Sequence, residues 1–240
     1  MNTSHNHLML KRSTFMRTLA AFKQNGNCLQ LAFKNCLIDE LHVSEDSMFI
    51  LIEERENRVV FSKSESTTLN SIRLQHPELC PFRELSQTSR NIIDEKHLNF
   101  GVSVCAVAIV ITSCGKILLT KRADSCRTFP SRWVPPGGHL EKNESLLECA
   151  LRELHEEAGL KFESSDIITT SPIAAWESAF PTYLDLGIPC RHAIIIYFAL
   201  TVNKSENEIA ANLNLCPTET QAAMFLEKYI YLIFRSFSHH

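Results

Sequence analysis

The stretch 144–158 constrains the fold most. Leu147, Ala150, Leu151, Leu154 and Ala158 recur at i, i+3, i+4, i+7 and i+11. Only an α-helix brings that spacing onto one side, and only a second packed layer can cover the resulting stripe. Gly159 follows where a left-handed residue closes such a helix. The segments around it are strand-like. Residues 101–112 form a β-branched run, Gly115 turns the chain into 116–120, and further apolar runs lie at 173–176, 193–202 and 220–226. Between them, 121–138 reads as loop, with Pro130, Pro135, Pro136 and the Gly137-Gly138 pair. Strands around one well-marked helix predict the α/β class, a mixed sheet in a sandwich with helix.

Upstream of residue 97 the pattern changes. Residues 28–38 and 48–63 read as β structure, the second as a hairpin in which 49–52 and 59–61 flank the polar 53–58. Residues 62–98 are polar, broken by Pro77 and Pro81, and read as a connection. A chain of 240 residues is one domain plus a remainder, so 1–97 is expected to be a small β-rich accessory domain and 98–240 the main one. The basic, acid-free start (Lys11, Arg12, Arg17, Lys23, Lys34) has two readings, a basic first strand or a mitochondrial transit peptide. With 45% hydrophobic and 21% charged residues the chain can bury a core unaided, which excludes collagenous, disordered and disulfide-scaffold classes. Nine cysteines without a C-x-x-C pair cannot all be paired and lack zinc-ribbon spacing. Those in apolar runs, such as Cys105 and Cys149, read as reduced and buried, and a cytoplasmic location is expected. No run approaches the roughly 18 apolar residues of a membrane span, so no membrane partner is expected. A net charge of -3 opposes nucleic-acid binding by bulk electrostatics.

Beside the apolar stripe, Glu153, Glu156 and Glu157 fall within about a 100° arc of the helix. Three converging carboxylates raise one another's pKa unless something compensates, and hard divalent cations, Mg²⁺ or Mn²⁺, choose such oxygen ligands. A trio of helical Glu is commonly a solvated face; the wider spacing separates the two readings. Gly138, five residues, Glu144, seven residues, Arg152-Glu153-Leu154, one residue, Glu156-Glu157, one residue, Gly159-Leu160 would arise by chance in a chain of this length on the order of once in ten million. This pattern resembles the Nudix box at every fixed position. The similarity to that family extends over about 98–235, including 132–139 and Trp176-Glu177-Ser178, and one member also resembles the chain around Cys80-Pro81-Phe82.

The resemblance implies an α/β/α sandwich in which the box forms a loop–helix–loop. It implies that Glu153, Glu156 and Glu157 hold metal with the Gly138 carbonyl, that Glu144 and Arg152 pair to fix the loop, and that Gly159 releases the chain from the helix. It further implies hydrolysis of a diphosphate linkage in a nucleoside diphosphate joined to another moiety. Capped mRNA leads the substrates, with release of a methylguanosine diphosphate. Nucleotide sugars and coenzyme A follow, the latter through the partial match of Leu118-Leu119-Thr120, Arg122 and Arg127, which departs at Ala123, Ser131 and Pro135. The charge layout agrees with a polyphosphate partner: five basic residues against Asp124 over 116–132, then seven acids against three bases over 138–163. Arg122, Arg127 and Arg132 are the candidate phosphate ligands. The general base stays open among Glu157, Glu219, Asp185 and Glu177, with Asp185 and Glu177 reading as loop charges. Trp133, Trp176, Phe180 and Tyr183 are core or base-stacking residues. A non-catalytic nucleotide- or partner-binding module, or a metal-dependent isomerase, on the same fold are the alternatives. Tyr229, Ile230, Leu232 and Ile233 suit either a short last helix or a tail.

Overall fold

The computed structural model describes residues 18–41, 47–65, 68, 70–77, 79–86 and 91–227. The chain enters the sheet with β1 (Leu19–Gln24) and turns through Asn25-Gly26, both at positive φ, into β2 (Asn27–Gln30). An Asn-Gly pair suits that tight hairpin turn. A helical turn, α1 (Leu37–Glu40), precedes the hairpin of β3 (Ser47–Arg55) and β4 (Arg58–Lys63). β5 (Ile72–Gln75) and the short helices α2 (Pro81–Glu84) and α3 (Glu95–Phe100) follow. Then come β6 (Ser103–Ile111), β7 (Lys116–Arg122), β8 (Trp133–Val134), β9 (Gly137–His139) and the long helix α4 (Leu146–Ala158). β10 (Ile167–Phe180), β11 (Arg191–Val202), α5 (Glu206–Ala211) and β12 (Thr220–Glu227) complete the described chain.

The strands form one mixed sheet in the order β12-β7-β6-β11-β10-β5-β3-β4-β1-β2, with β8 on β7 and β9 on β6. β1 also meets β6 at Leu19↔Ser103, so the path from β6 through β11, β10, β5, β3, β4 and β1 returns to its start. β6 is the centre. Its first eight residues are all buried, as expected of a β-branched run covered on both faces. β11 pairs with it in parallel from Ala193↔Ser103 to Thr201↔Ile111 and alternates buried with half-buried residues. One core cluster joins Phe61, Leu74 and Phe82 to Val104, Leu154 and Ile194. Residues before and after position 97 thus share a sheet and a core.

Several expectations need correction. In 28–38 only the start is strand. Leu37 and Ile38 reach the core, with no side-chain exposure, from the single turn of α1, which is too short to show a helical period. The stretch 62–98 is more than a connection: β5 is inserted between β3 and β10. It buries only Ile72 and Leu74, alternating with Arg73 and Gln75, too few residues to mark a strand. The stretch 121–138 contains β8 and part of β9. Lys11, Arg12, Arg17, and the last segment with Tyr229, Ile230, Leu232 and Ile233, lie outside the described residues. Among the described residues no helix is long and apolar enough to cross a membrane.

A shared core makes a specific demand on unfolding. Leu74→Ala, at a site with no exposure, is expected to cost about 2–5 kcal/mol. In denaturant titrations tryptophan fluorescence and helical circular dichroism should shift together. Because both tryptophans and α4 lie after position 97, signals that stay at their wild-type midpoints would mean that the two halves do not unfold as a unit.

Candidate active site

The site is built on α4, whose ends are both closed by local chemistry. Ser145 caps the N-terminus in a capping box with Glu148, and the Leu146 N–H donates to Glu54 Oε2 at 2.7 Å, a carboxylate from the β3–β4 hairpin. At the other end Gly159 adopts φ 73°, and a Cβ there would stand 2.6 Å from Asn214 Cβ. The Asn214 and Cys216 N–H groups donate to the free carbonyls of Ala158 and Glu157. Leu146, Cys149, Ala150, Leu154 and Ala158 are buried on the face toward the sheet.

Glu153 and Glu157 follow that buried face. Glu157 is 6% exposed. Burial, then the charge of Glu153, push its carboxyl up to about 8 against the pull of Arg122 and a hydrogen bond from the Gly137 N–H. Burial pushes Glu153 up to about 7 against Arg152, with Glu156 and Glu219 adding repulsion. Glu153 lies directly on Gly138: a Cβ at Gly138 would collide with Glu153 Oε1. Any larger residue would displace the carboxylate. Glu156 is set apart, half-exposed and held by Arg152 at 3.0 Å.

Arg152 connects helix and loop. Its Nε and Nη2 donate to the two oxygens of Glu144 at 2.9 and 2.8 Å, and Nη2 also donates to the His139 carbonyl at 3.0 Å. Nη1 donates to Glu153 at 2.9 Å. Burial opposes the Glu144 charge, but the Arg152 bonds and the Glu141 N–H hold its carboxyl below the usual range. The Gly138 carbonyl accepts from Cys149 Sγ at 3.7 Å.

Of the other sequence candidates, Glu219 stands immediately before β12, half-buried and close enough to raise both Glu153 and Glu157. Arg122, at the end of β7, acts on Glu157 and donates from Nε to the Thr128 carbonyl at 3.1 Å. Arg127 and Arg132 are exposed on the loop beyond it, and the Arg132 carbonyl accepts from the Arg122 N–H at 2.9 Å. Trp133 and Tyr183 are 42% and 47% exposed rather than core, because β8 and the turn at 184–186 lie at the rim. Phe180 packs edge-on against Phe129. Asp185 is an exposed loop charge, as expected.

Glu177 is not a loop residue. It lies in β10 with 2% exposure, and its oxygens accept from Leu37 N, His192 Nε2 and Cys36 Sγ. Ala175, Glu177 and Ala179 share the inward parity of the strand; a carboxylate at that parity was the available signal, masked by the assumption that polar residues mark loops.

The residues fit a divalent cation. One buried and one half-buried carboxylate that resist ionising beside each other, with a third acid nearby and an all-oxygen donor set, are stabilised by a hard cation and by little else. Glu153 and Glu157 would hold it, with Glu156 and Glu219 at its margin and the Gly138 carbonyl beside it.

A helix bearing buried acids, pinned by arginine to a Gly-containing loop on a mixed sheet, defines a Nudix-type site. The chain belongs to that family: the NUDIX domain matches residues 102–229. It is 36% identical over 178 residues to the m7GpppN-mRNA hydrolase NUDT17 of Xenopus laevis, covering 74% of this chain and 58% of that protein. To the human protein of the same name it is 38% identical over 154 residues, 64% of this chain and 46% of that one. The chain spans about half the length of the curated relatives it matches. A solved MutT protein from Methanosarcina mazei Go1 shares 22% identity at a TM-score of 0.40, over 55% of this chain and 80% of that one.

The raised carboxyls set a pH dependence. Below the unfolded value of 4.5 both states are protonated and no penalty applies. As pH rises the unfolded chain loses the proton first, so stability falls until the folded groups ionise at about 7 and 8. The metal-free chain should therefore lose thermal stability across that window. Glu157→Gln should flatten the fall, and Mg²⁺ should raise the melting temperature more on the alkaline side than on the acid side. Identical profiles for the two proteins would remove Glu157 as the source.

Proposed function

We propose that this chain is a divalent-metal-dependent hydrolase that cleaves the P–O–P linkage of a nucleoside diphosphate joined to another moiety. The observation that carries the reading is the pair of carboxylates of the half-buried Glu153, closed against Gly138, and the buried Glu157, flanked by Arg122 and Glu219. A cation bound there, Mg²⁺ or Mn²⁺, supplies charge that offsets the repulsion between diphosphate oxygens and an incoming nucleophile. The chain's own groups do the rest. Water attacks one phosphorus, its proton passes to a carboxylate, and the bond to the bridging oxygen breaks. Glu157, held with a raised proton affinity, and Glu219, on the solvent side, are the two acceptors in place. Glu177 is excluded by its burial and by the bonds that occupy it. Arg122 neutralises the phosphate next to Glu157, while the exposed Arg127 and Arg132 extend cationic charge along the 123–132 loop. Trp133, exposed beside Lys121 on β7, offers a face for a nucleobase.

The leading substrate is the capped 5′ end of mRNA, releasing a methylguanosine diphosphate, with coenzyme A and nucleotide sugars next. The relatives named as m7GpppN-mRNA hydrolases support this order. The net charge of -3 favours contact at the cap over tracking along RNA. The cytoplasm is the proposed location.

The test is product release from capped RNA, coenzyme A, a nucleotide sugar and a dinucleoside polyphosphate, with and without Mg²⁺ or Mn²⁺. Metal-dependent cleavage of capped RNA with the diphosphate on the guanosine product is expected. Glu157→Gln should lower turnover by about 10²-fold or more while the metal-free protein stays folded, with a melting temperature no lower than that of the metal-free wild type. Binding without cleavage in a folded, metal-loaded sample would instead identify a non-catalytic module.

A further inference from the structure

We propose that Cys36, His76, Cys80 and Glu177 form a second metal site, closed and structural, that takes one zinc ion. Its donors are two sulfurs, one imidazole nitrogen and one carboxylate oxygen, a set with no counterpart among the oxygens of α4.

The donors converge from three parts of the chain. Cys36 Sγ lies 2.9 Å from His76 Nε2 and 3.3 Å from Glu177 Oε2, and His76 Nε2 is 3.9 Å from that oxygen. The ligating atoms of Cys36, His76 and Cys80 all fall within 4.8 Å of one another. Ligands at zinc–sulfur and zinc–nitrogen bond lengths in a tetrahedron stand roughly 3.3–3.8 Å apart, so small shifts would seat an ion among them. None of the four residues is more than 3% exposed.

Local structure explains the aim of each side chain. Cys36 and Cys80 are the N-cap residues of α1 and α2, and neither makes a side-chain cap hydrogen bond; the thiols turn to the cluster instead. The parallel register Trp176↔Gln75 brings the next residues, Glu177 and His76, side by side. The register Glu177↔Ile194 puts His192 diagonally across on the same face. Glu177 Oε1 is already held by the Leu37 N–H at 2.7 Å and by His192 Nε2 at 3.0 Å, which leaves Oε2 for the cluster. His192 is itself fixed: its Nδ1 donates to the Phe33 carbonyl at 2.7 Å and its ring stacks on Phe82 at 4.1 Å. A ligand carboxylate oriented through its second oxygen by a locked histidine is the support that metal sites need. Two thiolates select zinc over Mg²⁺ or Mn²⁺, and four protein donors without solvent access describe a structural site rather than a catalytic one. The ion would tie α1, β5 and α2 to β10.

The test uses the full chain purified without chelator, and its readout is independent of hydrolysis. Elemental analysis should find about one zinc per chain, retained through dialysis. Cobalt exchanged into the protein should give the thiolate-to-cobalt charge-transfer band and the visible spectrum of a tetrahedral site. Both signals should persist in a Glu153→Gln/Glu157→Gln chain and vanish in Cys36→Ser/Cys80→Ser. If the serine variant does not fold, the cobalt spectrum of Cys149→Ser decides, because Cys149 is the thiol beside the Gly138 carbonyl and its removal should leave the bands unchanged. A wild-type chain that holds no zinc after expression in zinc-supplemented medium overturns the proposal. So does a disulfide between Cys36 and Cys80 in the purified protein.

Discussion

The site depends first on Arg152. One guanidinium reaches Glu144 in the loop before α4, the His139 carbonyl in β9, and Glu153 and Glu156 on its own helix. Its planar fork meets Glu144 with two parallel bonds, a geometry that lysine cannot reproduce. Because β9 is hydrogen-bonded to β6, this fastens the Gly-rich turn between the central strand and the helix. Gly138 then stands against the Glu153 carboxylate with no room for a Cβ. Removing one partner from a fully buried pair typically costs about 3–5 kcal/mol, and from this half-buried one less. Here it would also free the loop that sets the carboxylate's position. Stability and site geometry are the same interaction.

Arg152 does not neutralise the whole cluster. It satisfies Glu144 and part of Glu153, yet Glu157 is left buried with Glu153 and Glu219 nearby and only Arg122 and one N–H in opposition. A chain selected for stability alone would place an apolar residue at 157, since the flanking Ala158 and Leu154 are fully buried. Retaining an uncompensated acid there is a local conflict of the kind that marks functional sites.

This part of the molecule was legible because it is local in sequence. Gly138 to Leu160 carries the loop, the cap, the stripe, the acids and the closing glycine within a few helical turns, so spacing alone placed them. β6, β7, β11 and β12 were also readable, from long β-branched or alternating runs. Of the first 97 residues the β3–β4 hairpin was readable and the rest was not, for two physical reasons. In α1 and β5 the buried residues come in pairs, Leu37 with Ile38 and Ile72 with Leu74, too few to establish a period. Their polar core residues act across long separations: Cys36 meets His76 at a separation of 40 residues and Glu177 at 141. No local motif encodes that meeting. It follows from the parallel β5–β10 register, which sequence alone does not specify.

The same register explains why the early strands matter to chemistry far along the chain. β5 lies along β10, β10 along β11, and β11 along β6, the strand that carries β9 and hence Gly138. The β3–β4 hairpin adds a second link through Glu54, whose carboxylate occupies the N-terminus of α4, where free N–H groups and the helix dipole favour an anion. A carboxylate at one end of α4 and a capped glycine at the other hold the helix along its axis, while Arg152 fixes its rotation. With position and rotation both set, the buried edge of α4 has only one place to present Glu153 and Glu157. The N-terminal strands are thus part of the frame that positions the acids.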